Sequence, residues 1–185
     1  MVLVVSEFLP TTIQYYSNSL FIFIEYSYFA LFLWLNTQKK LAKQLLMIAS
    51  IFFYIFFIVY TATVKVNQLD SVSIGIETII VLIFSFYLFY ELLNEPKVIF
   101  INNDYRFWII LGMVIYLAGT FFIYIYANTV TIRELVKFLF LTYVFYIIKD
   151  IFFVIGIIVH SKKQLDTKSS TIPYLDMEFN HGTNH

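Results

Sequence analysis

The chain contains no cysteine, which excludes disulfides, thiolate metal sites and cysteine nucleophiles. Histidine is nearly as scarce: His160, His181 and His185 all lie at or beyond the last apolar stretch, so no metal site is expected from them, and none is assigned elsewhere. Charge is sparse, with Asp, Glu, Lys and Arg making up 13% of 185 residues and the formal net charge zero. A soluble globular domain carries about a quarter charged residues. The few basic residues are scattered, so no nucleic-acid footprint is read. H-E-x-x-H, G-x-S-x-G and phosphate-loop patterns are missing, and neither an enzyme nor a cofactor is expected. MVLVVSEFLP has no basic start and only four apolar residues in a row before Glu7 and Pro10, so it does not read as a signal peptide, and the first hydrophobic helix is expected to target the chain.

What is present is apolar sequence: 61% hydrophobic residues, 22 Phe and 15 Tyr, with mean hydropathy +0.81. Five stretches satisfy the roughly 20 apolar residues needed to cross a hydrocarbon core of about 30 Å. They run from Asn18 to Asn36, Leu41 to Thr63, Val72 to Leu93, Phe107 to Ala127 and Leu135 to Val159. The links TQKK, VKVNQLDS, NEPKVIFINNDYR and NTVTIRE are short, so neighbouring helices must run antiparallel. Pro96 disfavours helical geometry at Glu95 and marks the end of the third helix. The expected fold is all-α: a polytopic integral membrane protein, an up-and-down bundle of five transmembrane helices. Its organisation reads as an extracytoplasmic segment 1–17, a helical domain 18–160 and a polar, disordered cytoplasmic tail 161–185.

Eight basic residues (Lys39, Lys40, Lys43, Lys97, Arg106, Lys162, Lys163, Lys168) fall on one side of the spans and three (Lys65, Arg133, Lys137) on the other. Basic residues concentrate in cytoplasmic loops, which puts the N-terminus outside and the C-terminus in the cytoplasm of a cell-membrane protein. Trp34 and Trp108 lie near the same interface, where an amphipathic indole is favoured.

Between Phe138 and Val159, sixteen residues are Leu, Ile, Phe or Val, yet Lys149 and Asp150 stand side by side in their midst. Roughly −5 to −10 kcal/mol of apolar insertion faces roughly +5 to +7 kcal/mol for the two charges, so the helix inserts at a real cost. At about 100° per residue, Thr142, Tyr143, Tyr146, Lys149, Asp150 and Phe153 share an arc of about 120°. Similar stripes comprise Ser73, Glu77, Tyr87 and Glu91; Asn18, Glu25 and Asn36; and Lys43, Ser50, Tyr54 and Thr61. All are assigned to the interior, since lipid satisfies no polar group. By helix rise Glu25 lies about 10 Å and Glu77 about 7 Å below the outer edge, with Lys149 roughly 17 to 20 Å below it. A lysine stem spans about 6 Å, so Lys149 is expected to pair with Glu25 first and Glu77 second. Asp150 is expected to turn to Tyr146, or to Tyr54 or Ser50 across the bundle.

Three acids against one lysine leave surplus negative charge, to be protonated, hydrated or matched by a cation. Such residues either fix helix register or mark a site or a proton path. Gly112 and Gly119, a heptad apart, permit close helix approach, within the bundle or between copies of the chain.

YLFYELLNEP and DYRFWIILGMVIYLAGTFFIYIYAN, with IE near the start of the preceding helix, resemble an uncharacterised family of small multipass bacterial membrane proteins. The resemblance spans about residues 20 to 160 and implies membrane topology and no catalytic residue. It also implies helices ahead of the one at 18–36, which this chain is short of. The functional expectation is a non-enzymatic signal-sensing or accessory membrane subunit, surrounded by the lipid bilayer, that contacts a cytoplasmic partner through residues 161–185. The alternative is a proton- or cation-conducting transporter or channel acting as a homo-oligomer.

Overall fold

A computed structural model describes residues 11–63, 71–96, 100–127 and 132–169. These residues form α1 (Thr11–Asn36), α2 (Lys40–Thr63), α3 (Ser71–Leu93), a 3-10 turn (Ile101–Asn103), α4 (Tyr105–Ala127) and α5 (Ile132–Ser169). Each helix is long and apolar enough to cross a membrane. The ends at Asn36, Thr63, Leu93 and Ala127 coincide with those read from the sequence.

Two boundaries shift. α1 begins at Thr11, ahead of the expected Asn18, so part of the segment assigned to 1–17 is helical. α5 does not stop near residue 160 but continues through HSKKQLDTKS to Ser169, so the assignment of 161–185 to a disordered tail fails for its first nine residues. Apolarity limits a span, not a helix: Lys and Gln are strong helix formers whether or not lipid surrounds them. Residues 1–10 and 170–185 lie outside the described part.

Contacts show how the helices are laid out. Along α1 and α2, Phe23 meets Phe57, Tyr26 meets Ser50 and Trp34 meets Lys43, so the two run in opposite directions. Gly75 faces Phe121 and Phe89 faces Phe107, which makes α3 and α4 antiparallel too. On α4 and α5, Gly119 faces Phe145, Gly112 faces Lys149 and Phe152, and Ile109 faces Gly156, again in reverse order. α1 lies against both α2 and α3, while α5 packs principally on α4.

The core is apolar and aromatic, with Tyr26, Leu33, Phe53, Leu88, Ile110 and Met113 fully or almost fully buried. Large apolar side chains also cover the outside: Leu41, Phe52 and Phe140 are each about 70% exposed. An outer surface this apolar is unsuited to water but matches hydrocarbon.

The α4–α5 contact depends on missing side chains. A Cβ on Gly112 would lie 2.9 Å from the Phe152 Cβ and 3.3 Å from the Lys149 carbonyl oxygen, and one on Gly156 would lie 2.9 Å from Ile109 Cγ1 and 3.2 Å from the Tyr105 carbonyl. Gly112 and Gly119 therefore serve packing inside the bundle. Gly156, which the sequence reading passed over, supplies the same clearance from the other helix.

The Lys-rich end of the bundle is tied together by polar contacts. Asp104 precedes α4, and its Oδ1 accepts the Arg106 backbone N–H, a helix N-cap. The Arg106 guanidinium grips the Asp104 carboxylate through Nε and Nη2, at 2.9 and 2.8 Å, and reaches Glu95 at 2.8 Å. Tyr105 donates to Asn36 Oδ1 at 2.7 Å, joining α4 to the end of α1. Glu91 accepts the backbone N–H groups of Gln38 and Lys39 and so holds the α1–α2 link from α3.

Candidate functional site

Glu25, on α1, and Lys149, on α5, meet in the middle of the helices. Lys149 Nζ is 3.6 Å from Glu25 Oε1, and both side chains are 12% exposed. The other carboxylate oxygen, Oε2, accepts the Tyr116 hydroxyl at 3.1 Å. Aromatic faces complete the lysine's surroundings: Nζ is 4.4 Å from the Tyr116 ring centroid, 4.8 Å from Tyr146 and 6.0 Å from Phe29. A lysine among ring faces is stabilised by their quadrupoles where water is excluded. Lys149 reaches this place because Gly112 lets its backbone approach α4, so that the stem can extend across α4 toward α1.

Next to this pair is a cavity that leaves about 20 Å³ open to the centre of a water-sized sphere. Glu25, Glu77, Thr78, Tyr116, Thr120 and Tyr146 are among its lining residues, drawn from α1, α3, α4 and α5. Glu77 is 3% exposed, and its Oε1 has no hydrogen-bond partner among the described residues. The Thr78 hydroxyl, 1% exposed, has none either. Thr120 differs, donating to the Tyr116 carbonyl one turn back at 2.8 Å, which leaves its oxygen lone pairs able to accept. An unpaired buried carboxylate oxygen is costly, and such groups are scarce in folded proteins. Ser73 and Ser85 on α3 are likewise buried, with no hydrogen-bond partner among the described residues, so this helix carries a polar seam through its buried face.

Three residues expected at the site, Asp150, Ser50 and Tyr54, lie elsewhere. Asp150 is exposed on the outer face of α5. The reason is angular: a helix that docks mainly on one neighbour buries a narrower face than the 120° arc, and Asp150 stands about 100° round from Lys149. Tyr146 instead packs its ring on Tyr116, with centroids 4.8 Å apart. Ser50 and Tyr54 belong to the α1–α2 seam, where Ser50 Oγ accepts the Tyr26 hydroxyl at 2.9 Å and Tyr54 shares a 2.9 Å hydrogen bond with Ser27. Asn18, placed inside by its stripe, is exposed.

The arrangement sets two carboxylates beside one small cavity and places the Lys149 ammonium against one of them. Tyr116, Thr78 and Thr120 give no signal of their own in the sequence, since neither tyrosine nor threonine is unusual in an apolar helix. A heptad step from Gly112 to Gly119 brackets Tyr116, and that was the available signal. Among the described residues, no three His, Asp or Glu side chains gather as a set that could hold a metal ion. Comparison with family models, with curated proteins and with solved structures finds no match to this chain.

Proposed function

We propose that this chain is a non-enzymatic multipass protein of the cell membrane that senses the charge state of its buried polar core and relays it to a cytoplasmic partner. The charge asymmetry of the links supports an orientation with the N-terminus outside and the Lys-rich end in the cytoplasm. The observation that carries the sensing reading is the position of Lys149. It is tied to Glu25 beside a cavity in which Glu77 retains a free oxygen, and it belongs to a helix that continues unbroken to Ser169. Twenty residues at about 1.5 Å each make a rod of about 30 Å from the core toward the cytoplasmic side. Since α5 packs principally on α4 and reaches α1 through Lys149, a change at the Glu25–Lys149 pair alters how α5 is held. Packed elements of this sort switch between discrete arrangements and carry coupling over such distances.

Because the chain has no cysteine, a single Gln164→Cys variant takes an environment-sensitive fluorophore at one exposed position of α5. In reconstituted protein its emission should shift on changing pH, and the shift should vanish in Lys149→Met and Glu77→Gln. An emission that ignores pH and both substitutions defeats the reading. The unpaired Glu77 oxygen beside Glu25 also favours a second reading, a proton- or cation-conducting oligomer. Vesicles loaded with a pH-sensitive dye test it, since flux that falls in Glu25→Gln would replace sensing by transport.

A further inference from the structure

The cavity is too small for an organic ligand. Its roughly 20 Å³ only just exceeds the ~10–15 Å³ that admits one water. Its chemistry is that of oxygen donors: two carboxylates, Glu25 and Glu77, and the hydroxyls of Thr78, Thr120 and Tyr116. Two oxygens of these residues, Glu77 Oε1 and Thr78 Oγ1, are buried with no hydrogen-bond partner among the described residues, so their lone pairs are available to a ligand. Hard cations take such oxygen ligands.

Charge decides the valence. Glu25 and Glu77 contribute −1 each and Lys149 contributes +1, so the ionised site carries a net charge of −1. One monovalent cation neutralises it, whereas a divalent ion would leave a buried excess of +1. Lys149, 3.6 Å from Glu25, thus acts as a fixed resident cation that compensates one carboxylate and leaves the other for an exchangeable ion. The remaining titratable groups facing the cavity are the phenols of Tyr116 and Tyr146, with Tyr26 close to Glu77 on the α1 side.

We propose that the space between α1, α3, α4 and α5 binds one small, largely dehydrated monovalent cation of sodium size, held by Glu77 and Thr78 together with Glu25. This deepens the sensing reading by naming the species sensed, and it rests on that reading only for its biological use. A cation that arrives at Glu77 adds a positive charge near Lys149 and loosens the lysine's hold on Glu25. Occupancy of the cavity is thereby linked to the seating of α5.

The test is equilibrium binding of radioactive sodium to purified, detergent-solubilised full-length protein, with choline chloride holding the ionic strength constant. Saturable binding displaced by unlabelled sodium is expected. Glu77→Gln, which keeps the side-chain shape, and Thr78→Val should each weaken it by roughly tenfold or more. Glu91→Gln, which alters a carboxylate away from the cavity, should leave it unchanged. Circular dichroism and gel filtration confirm that each variant is folded. Absence of saturable binding overturns the proposal. So does equal binding in Glu77→Gln, or a stability that responds to pH but not to sodium, which would make a proton the occupant. The label at position 164 separates the two readings. Sodium binding with a silent label retains the cation site and removes sensing, whereas a label that answers pH without sodium binding does the reverse.

Discussion

Removing Lys149 should cost more than removing its partner, and the difference can be worked from the geometry. At the 3.6 Å separation of Nζ and Oε1, Coulomb attraction at an effective dielectric near 20 is about 4 to 5 kcal/mol before desolvation is subtracted. Lys149→Met leaves Glu25 with the Tyr116 hydroxyl alone and places two uncompensated carboxylates around one small cavity. Breaking a buried pair from one side in this way costs about 3 to 5 kcal/mol. Glu25→Gln is milder, because Lys149 keeps the Tyr116 and Tyr146 ring faces, and about 1 to 2 kcal/mol is expected. The double variant removes both charges, so its loss should resemble that of Lys149→Met or fall below it, giving a coupling of about 1 to 3 kcal/mol. Reversible unfolding in mixed micelles of increasing SDS content measures all four states at neutral pH. Losses that add to within about 0.5 kcal/mol would refute the pairing.

Glycine substitutions should split by position. Gly112→Ala brings a Cβ to 2.9 Å from the Phe152 Cβ, an atom anchored to the main chain, so α5 must move and about 1 to 3 kcal/mol of overpacking outweighs the gain in helix propensity. Gly75→Ala meets nothing nearer than a Phe121 ring carbon at 3.9 Å and should stabilise by about 0.5 to 1 kcal/mol in the same unfolding assay. At the Lys-rich end, burial alone would raise the Asp104 pKa, but the hydrogen bonds and charge of Arg106, with Lys163 nearby, hold it below the ordinary 3.8. A depressed carboxyl pKa means that this contribution is present above about pH 3.8 and is lost as pH falls through the lower folded value. Melting temperature against pH should therefore drop in that acid range for the natural chain and stay flatter for Asp104→Asn.

The sequence made the spans legible because membrane crossing demands a length of apolar residues, and no other feature of the chain competes with that demand. Lys149 and Glu25 could be matched by depth for a related reason: charges are so few that arithmetic along the helix leaves a short list. Asp150 could not be placed, since its azimuth matters only relative to the helix that α5 docks on, and one chain's periodicity does not name that neighbour. The end of α5 was misjudged because a polar helix gives no apolar signal. The Arg106 clasp was hidden for a different reason. In the sequence Arg106 is one charge among the basic residues of its side, although Asp104 two residues ahead of it is a serviceable N-cap signal.

The central claim is that α5 turns Lys149 toward α1 and Asp150 to the outer face of the bundle. Nitroxide labels placed singly from residue 147 to 158 of this cysteine-free chain, read by collision with oxygen in lipid bilayers, report which side meets lipid. The account predicts high oxygen accessibility at Ile147, Asp150, Ile151, Val154 and Ile158, with minima at Lys149, Phe152, Phe153 and Gly156. High accessibility at Lys149 and Phe153, with a minimum at Asp150, would contradict it.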